Sequence, residues 1–443
     1  MGSMPDRLME NPMPAPLRLG LAGLGTVGIG VVKIVQKHAD LIAARAGRPV
    51  VITAVSARDR GRNRDADLSG YAWESDPVAL ARRDDVDVFV EVMGGHEGPA
   101  KAATEAAIAA GKDVVTANKA LLAHHGQALA LAAEAAGRVI RFEAAVAGGI
   151  PVIKALTEGL AGNRMRRVMG VMNGTCNYIL TRMQTAGLPY ETVFEEARQL
   201  GYLEADPNLD VGGIDAGHKL SLLAAIAFGT KVSFDHVELE GIGNVSIEDI
   251  RMADDMGYHI KLLGVAQMTG RGLEQRMTPC LVPADSPLGQ LQGGTNMVVL
   301  EGDSVGQIVL RGPGAGEGPT ASAVMGDVID LARGLRLTTF GQPAATLVDP
   351  IPAKAATPAP YYLRMTLLDK PGALAKVATC LGEAGISIDQ MRQINQAGEA
   401  DDKAVVLIVT HKAAPADIAY ALSRFADTGV VMGAPVAIRI EEV

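Results

Sequence analysis

The chain has 443 residues, room for about three domains of roughly 150 residues each, and its 48% hydrophobic and 21% charged content excludes wholesale disorder. Lys plus Arg is 41 against 50 for Asp plus Glu, a formal net charge of -9; with a pI near 5.5 and no basic block, neither a nucleic-acid surface nor an anionic membrane is an expected partner. Cys176, Cys280 and Cys380 lie far apart with no paired spacing, which argues against zinc or a disulfide framework and for a reducing, cytoplasmic setting.

The first sixteen residues, MGSMPDRLMENPMPAP, carry several prolines and no apolar core. They read as a disordered leader or cloning remnant, outside the fold. From Leu17 short strands alternate with amphipathic helices: LRLGLAG, VVITAVSA, VDVFVEVM, DVVTAN and VIRFEAAV as strands, with helices after the first glycine turn, over PAKAATEAAIAAG and over ALLAHHGQALALAAEAAG. This spacing predicts right-handed βαβ crossovers and a doubly wound parallel sheet of Rossmann type over 17–145. After Gly148 the rhythm changes. RRVMGVMN is a strand, two helices follow to Gly201, a polar loop YLEADPNLDVGGID leads into the helix AGHKLSLLAAIAFG, and HIKLLGVAQMT, LEQRMTPCLV, NMVVLEG and QIVLRG predict a second, mixed sheet within 146–314. GPGAGEGPTASAVMGDVIDLARGL returns to a helix, assigned with 315–340 to the first domain. A Pro/Ala-rich linker occupies 341–359. Residues 360–443 then give a βαββαβ order, the plan of ferredoxin-like domains.

Gly23-Leu-Gly25-Thr26-Val27-Gly28 follows a strand and opens a helix. Gly23 permits the tight turn, Gly25 lets a pyrophosphate approach, Gly28 allows close helix–strand packing, and the helix N-terminus offers N–H groups to phosphate. The second strand runs out at Ser56-Ala-Arg58 with no acid near its end. A hydroxyl and a guanidinium suit a 2′-phosphate, so NADP is favoured with NAD tolerated; Arg58 also reads as a solvated turn residue. Gly302-Asp-Ser304-Val-Gly306 has the spacing of a serine-hydrolase elbow but stands between two strands, so it predicts a hairpin turn. No zinc helix or Tyr-xxx-Lys pair is present.

That leaves lysines and carboxylates to move the proton that reduction of a carbonyl requires. Lys119 sits at a strand's C-terminal end, where open α/β sheets bind ligands, and on position alone reads equally as a solvated first-turn lysine. Lys219 is four residues after Asp215, on one helical face, directly after a loop holding Glu204, Asp206 and Asp210. An (i, i+4) surface pair is the bland account of it. The concentration of acids around one lysine makes the segment the best candidate for holding an amino-acid substrate.

GYLEADPNLDVGGIDAGHK closely resembles the signature loop of the homoserine dehydrogenases, and VVTANKALLA, GVMNGTCNYIL, FEAAVAGGIPVIK and GPGAGEGPTASAV resemble that family's other motifs in its order, from Leu17 to about Gly341. Leu203 departs from the pattern, which has a small residue there. The resemblance implies reversible NAD(P)-dependent interconversion of L-homoserine and L-aspartate 4-semialdehyde, in threonine, methionine and isoleucine biosynthesis. Lys219 is the implied proton donor and acceptor, and Lys119 the second active-site lysine. Glu204 and Asp215 are the implied substrate acids, with Asp210 at the hydroxyl end. Asn173, Gly174, Thr175 and Tyr202 line the substrate pocket, and Gly201 and Gly316 contact the cofactor. Glu143, Val146, Gly148 and Ile150 match a monovalent-cation loop, usually for sodium, built from carbonyl oxygens, an apt donor set for a hard cation; AAVAGG also reads as a flexible crossover. A homodimer through the mixed sheet is implied as well. LLDKPGALAKVATCLGEAGISI resembles the ACT family of amino-acid sensors, with Asp369-Lys-Pro371-Gly372 at the effector turn and threonine as the implied feedback inhibitor; a purely oligomerising role is the rival. Two other functions remain open: another ACT-bearing amino- or keto-acid dehydrogenase, and a catalytically silent nucleotide and amino-acid sensor.

Overall fold

The computed structural model describes residues 14–203, 206–394 and 403–442. Most of the expected leader and Glu204 lie outside that range. The chain divides into two compact units, 1–161 with 315–347, and 162–314 with 348–443.

In the first unit, β1 (Leu17–Ala22), β2 (Val50–Ser56), β3 (Ala72–Glu74), β4 (Val88–Glu91), β5 (Asp113–Thr116) and β6 (Ile140–Arg141) form one sheet in the order β3-β2-β1-β4-β5-β6. Every pair is parallel, with Ala22 opposite both Ser56 and Glu91, and Glu91 opposite Thr116. The strands are apolar on both faces because helices cover both. Helix Thr26–Lys37 packs on the returning helix Glu317–Ala332, burying Val31, Val32, Val35, Val324 and Val328. The contact is close at Gly30, where a Cβ would lie 2.8 Å from both the Ala321 Cβ and the Glu317 carbonyl oxygen.

Two elements escape the periodicity of the sequence. β3 has only three residues, and helix Pro77–Arg82 is announced by its cap alone, the Asp76 carboxylate accepting from the Val78 N–H with proline at the first turn. Conversely, VIRFEAAV is a two-residue strand followed by a 3-10 turn, Glu143–Ala145. The chain leaves the sheet there because the Glu143 N–H is taken by Asp327 Oδ2 at 2.8 Å instead of a strand partner.

The second unit contains β7 (Met165–Val171), β8 (Glu238–Leu239), β9 (Tyr258–Thr269), β10 (Gly272–Pro283), β11 (Thr295–Gly302), β12 (Gly306–Pro313), β13 (Tyr361–Leu368), β14 (Ile388–Ile394), β15 (Lys403–Thr410) and β16 (Val431–Ile440). Their order is β12-β11-β7-β9-β10-β16-β13-β15-β14, with β8 on β10. Gly302 pairs with Gly306 across the β11–β12 turn, so the Gly-x-Ser-x-Gly string is a hairpin. The C-terminal βαββαβ segment, with helices Ala373–Glu383 and Pro415–Phe425, has the order β16-β13-β15-β14 and its own core around Val377, Leu381, Ile408 and Phe425. β16 also pairs in parallel with β10, Cys280 opposite Arg439 and Leu281 opposite Ile440, so one sheet runs through the whole unit.

A buried ion cluster stands behind that junction. Glu441 accepts from Arg276 Nη2 at 2.6 Å and from Arg439 Nε, and Arg276 Nε donates to Glu274 at 3.0 Å. The Pro/Ala-rich segment is pinned as well. Ala344–Thr346 forms a 3-10 turn, and Val348 and Pro352 bridge to Thr230 and Leu273.

Candidate active site

In the first unit the glycine turn closes on itself. Gly23 has φ +104, and a Cβ there would sit 2.6 Å from the Val92 carbonyl oxygen; a Cβ on Gly28 would overlap the carbonyl oxygen of Gly23. Only glycine fits either place. Gly25, by contrast, caps helix Thr26–Lys37 and faces open space. Thr26 and Val27 form the helix's first turn, whose N–H groups have no intrahelical acceptor. A cleft of about 500 Å³ opens here, lined among others by Gly23, Gly25, Ser56, Arg58, Met93 and Gly94.

Two further arginines that the sequence reading passed over, Arg62 and Arg64, line the same cleft. Arg64 is held by the carbonyls of Leu24 and Asp59 at 3.2 and 2.7 Å and faces the Trp73 ring. Arg58 and Arg62 are exposed. The signal was present as the basic run Arg58-Asp-Arg-Gly-Arg-Asn-Arg64. This donor set fits a pyrophosphate at the helix start and an extra phosphate at the second strand's end.

Lys119 is the first residue of helix Lys119–Ala135, directly after β5, and Asn118 caps that helix through the Leu121 N–H at 3.0 Å. Gly316, at φ +112, opens helix Glu317–Ala332. The segment Glu143–Ile150 is buried except at Gly149, and two successive residues, Ala147 and Gly148, take left-handed φ values of 55 and 54. Both Glu143 carboxylate oxygens are occupied by the N–H groups of Ile153 and Lys154, at 2.9 and 2.8 Å. Burial, with help from Asp327, pushes this carboxyl up to about 7. The Glu143 and Ile150 carbonyl oxygens each accept one N–H, from Val146 and Val152. A carbonyl oxygen has a second lone pair, so the donor set suits an oxygen-ligated cation. No cluster of three or more His, Cys, Asp or Glu side chains among the described residues could hold a metal ion.

The second unit brings its predicted residues together at one end of helix Ile214–Phe228. Gly213, left-handed at φ +80, starts the helix. Lys219 and Asp215, one turn apart, are 9% and 6% exposed, so their (i, i+4) pair is buried, not solvated. Lys219 Nζ donates to Asp215 Oδ2 at 2.6 Å and to the Met172 carbonyl at 3.0 Å. The following residues, Asn173, Gly174 and Thr175, start helix Gly174–Ala186. Asn173 Oδ1 accepts from the Cys176 N–H at 2.8 Å, and its Nδ2 donates to buried Asp210 Oδ1 at 3.1 Å. Thr175 Oγ1 donates to the Tyr202 carbonyl at 2.9 Å, and the Tyr202 ring stacks on Tyr178 with centroids 4.5 Å apart. Gly201 is exposed with φ +74. Asp206 caps a short helix, Pro207–Val211, that the polar loop did not announce and that carries Asp210 inward. Glu204 lies outside the described residues. The arrangement is a buried ammonium clamped by a carboxylate, beside a helix start and further acids, suited to exchange a proton and to hold a zwitterion.

A dinucleotide cradle on a parallel sheet, with a separate lysine–carboxylate centre, defines the class of nicotinamide-dependent oxidoreductases. Residues 23–143 match the model for the NAD-binding domain of homoserine dehydrogenase, and residues 151–329 match the homoserine dehydrogenase model. The homoserine dehydrogenase of Pseudomonas aeruginosa is 42% identical over 434 residues, covering 96% of this chain and 99% of the relative. That of Bacillus subtilis is 37% identical, covering 96% and 98%. The crystal structure of a homoserine dehydrogenase from Thiobacillus denitrificans superposes with a TM-score of 0.90 at 39% identity, covering 96% of this chain and 98% of that one. The chain belongs to the homoserine dehydrogenase family. No helix among the described residues is long and apolar enough to cross a membrane.

Proposed function

We propose that the chain catalyses the reversible interconversion of L-homoserine and L-aspartate 4-semialdehyde with NADP preferred over NAD. The observation that carries this reading is the buried Lys219–Asp215 pair, with Nζ also held by the Met172 carbonyl. When bound, the nicotinamide dinucleotide supplies the hydride acceptor. In the reduction the Lys219 ammonium gives a proton to the forming terminal alkoxide, and in the oxidation the neutral amine so formed takes it from the terminal hydroxyl, which requires Nζ to reach the substrate oxygen at hydrogen-bond distance. Asp215 keeps the ammonium in place and, with Glu204, anchors the substrate's amino group. Asp210 supports the hydroxyl end through the Asn173 side chain. Asn173, Gly174, Thr175 and Tyr202 shape the pocket, and Gly201 contacts the cofactor.

Gly23, Gly25, Thr26, Val27, Gly28 and Gly316 hold the dinucleotide, with Lys119 beside its nicotinamide end. Arg58, joined by Arg62 and Arg64 in the cleft, supports the preference for NADP. One relative, a hyperthermophilic archaeal homoserine dehydrogenase mutant, has been crystallised with NADPH; it is 27% identical with a TM-score of 0.60, covering 71% of this chain and 97% of that one. The carbonyls of Glu143, Val146, Gly148 and Ile150 hold a monovalent cation, sodium by family expectation. The C-terminal βαββαβ segment acts as an ACT module that binds threonine and lowers turnover, and the chain works as a homodimer.

The test is a spectrophotometric assay of cofactor reduction with homoserine, NADP or NAD, and threonine present or absent. Homoserine-dependent reduction, faster with NADP and slowed by threonine, is expected. A different hydroxy acid oxidised faster, or saturable binding of both ligands with no reduction, contradicts the reading.

A further inference from the structure

β4 reads Val-Phe-Val-Glu, three apolar residues and then an acid, all buried. Glu91, 0% exposed, is the strand's last residue. A carboxylate taken out of water is tolerated only where its oxygens are bonded, and no ion pair reaches this one among the described residues. Oε1 accepts from the N–H groups of Met93 and Gly94, at 2.8 and 3.3 Å. Oε2 accepts from Thr116 Oγ1 at 2.6 Å. Thr116 Oγ1 accepts in turn from the Asn118 N–H at 2.9 Å, and Asn118 Nδ2 donates to the Gly95 carbonyl at 2.7 Å. The bonds form a closed circuit across the C-terminal ends of two neighbouring strands.

The circuit has a polarity. The Thr116 hydroxyl accepts from the Asn118 N–H and donates to Glu91, so the carboxyl group accepts from two N–H groups and one hydroxyl, and an ionised carboxylate satisfies all three bonds. Burial raises this group's pKa and the accepted bonds oppose that rise.

The position is functional in its surroundings. The sheet order reverses between β1 and β4, and ligands of open α/β sheets bind outside the strand ends at such a point. Met93 and Gly94 are walls of the cleft that also contains Gly23, Gly25 and Arg58. At the other end of the circuit, Asn118 caps the helix that begins with Lys119.

We propose that Glu91 is a positioning residue of the cofactor site: through Met93 and Gly94 it sets the cleft wall, through Thr116 and Asn118 it sets the helix start that presents Lys119, and its negative charge favours the oxidised, positively charged nicotinamide over the reduced, neutral one. This rests on the assignment of that cleft and of Lys119 given under Proposed function. A fixed charge in a water-poor site acts at longer range than one in solvent.

Glu91→Gln keeps the volume and the Oε1 acceptor but removes the charge and the Oε2 acceptor. The measurement is the dissociation constant of the oxidised and of the reduced cofactor, without substrate, using whichever of NADP and NAD the wild type binds more tightly. Affinity for the oxidised form is expected to fall by about tenfold, the size expected for one fixed charge acting through protein on the positive nicotinamide, and for the reduced form by no more than about threefold. Turnover falls with it. Equal losses for both forms with a lowered melting temperature mean a merely structural role and overturn the proposal, as do unchanged constants for both. If E91Q does not fold, Thr116→Val, which breaks the same circuit while keeping the charge, is expected to weaken both forms about equally and to lower turnover; wild-type binding and turnover in T116V overturn the proposal. A wild type that binds cofactor but oxidises no homoserine sinks the substrate assignment alone, because the binding ratio still decides Glu91.

Discussion

Replacing Lys219 by methionine keeps most of the side chain's volume and removes its charge. Two hydrogen bonds disappear, to Asp215 Oδ2 and to the Met172 carbonyl, and the buried Asp215 carboxylate loses its cation. Removing one partner of a buried ion pair costs about 3–5 kcal/mol of stability. Loss of a positioned proton carrier lowers turnover by about 10²–10⁴, roughly 3–5 kcal/mol of barrier. A single variant therefore confounds the two effects, and a double-mutant cycle that includes D215N alone, which reports the loss of the substrate's acid anchor, separates them. In K219M/D215N the carboxylate is neutral, so most of the lost stability returns, while the proton carrier is still missing. The assay pairs thermal unfolding with homoserine-dependent cofactor reduction at saturating substrate. The expected pattern is K219M unstable and inactive, and the double variant stable and inactive. A folded K219M or K219M/D215N with turnover within about threefold of wild type refutes the role given to Lys219.

Three further outcomes are expected. Arg58→Gln raises the KM for NADP about tenfold, the effect of one charged hydrogen bond to phosphate, and leaves that for NAD within about twofold; equal effects on both cofactors contradict its 2′-phosphate role. Lys261 is buried against the Asn177 side chain and the Leu291 carbonyl, and burial pushes its pKa down to about 8. The unfolded chain binds the extra proton between about pH 8 and the ordinary lysine range near 10.4, so wild-type stability relative to Lys261→Met rises with pH through that window, by up to about 3 kcal/mol; paired melting curves with a pH-independent difference contradict it. Glu441→Ala takes the Nη2 partner from Arg276, which is 2% exposed and keeps Glu274 on Nε, and costs about 1.5–3 kcal/mol in denaturant unfolding, the size of one charged hydrogen bond; a loss below about 1 kcal/mol means the cluster at the β10–β16 junction contributes little.

Local chemistry made much of this legible. The Gly23–Gly28 turn carries its own steric logic, and the Asp215-to-Lys219 spacing places both on one face of a helix whatever surrounds it. Spacing could not tell a buried pair from a solvated one, because burial depends on Met172, 47 residues away. The three arginines of the cleft were similarly blurred, since a basic run on a loop looks the same whether it faces a ligand or water. Elements held by non-local contacts were the hardest. Nothing near Glu441 in sequence predicts that β16 pairs with β10, roughly 160 residues earlier. The overextended strand at VIRFEAAV failed for the same reason: Asp327, 184 residues on, captures the Glu143 N–H and turns the chain out of the sheet.

The central claim is that the Lys219 ammonium exchanges the proton at the substrate's terminal oxygen. A crystal structure of the enzyme with oxidised cofactor and homoserine reads it directly. The account predicts Lys219 Nζ within about 3.2 Å of that oxygen, directly or through one water, with Asp215 still bound to the lysine or to the substrate's amino group. Homoserine bound with its hydroxyl beyond reach of Lys219, and against another titratable side chain, contradicts the account.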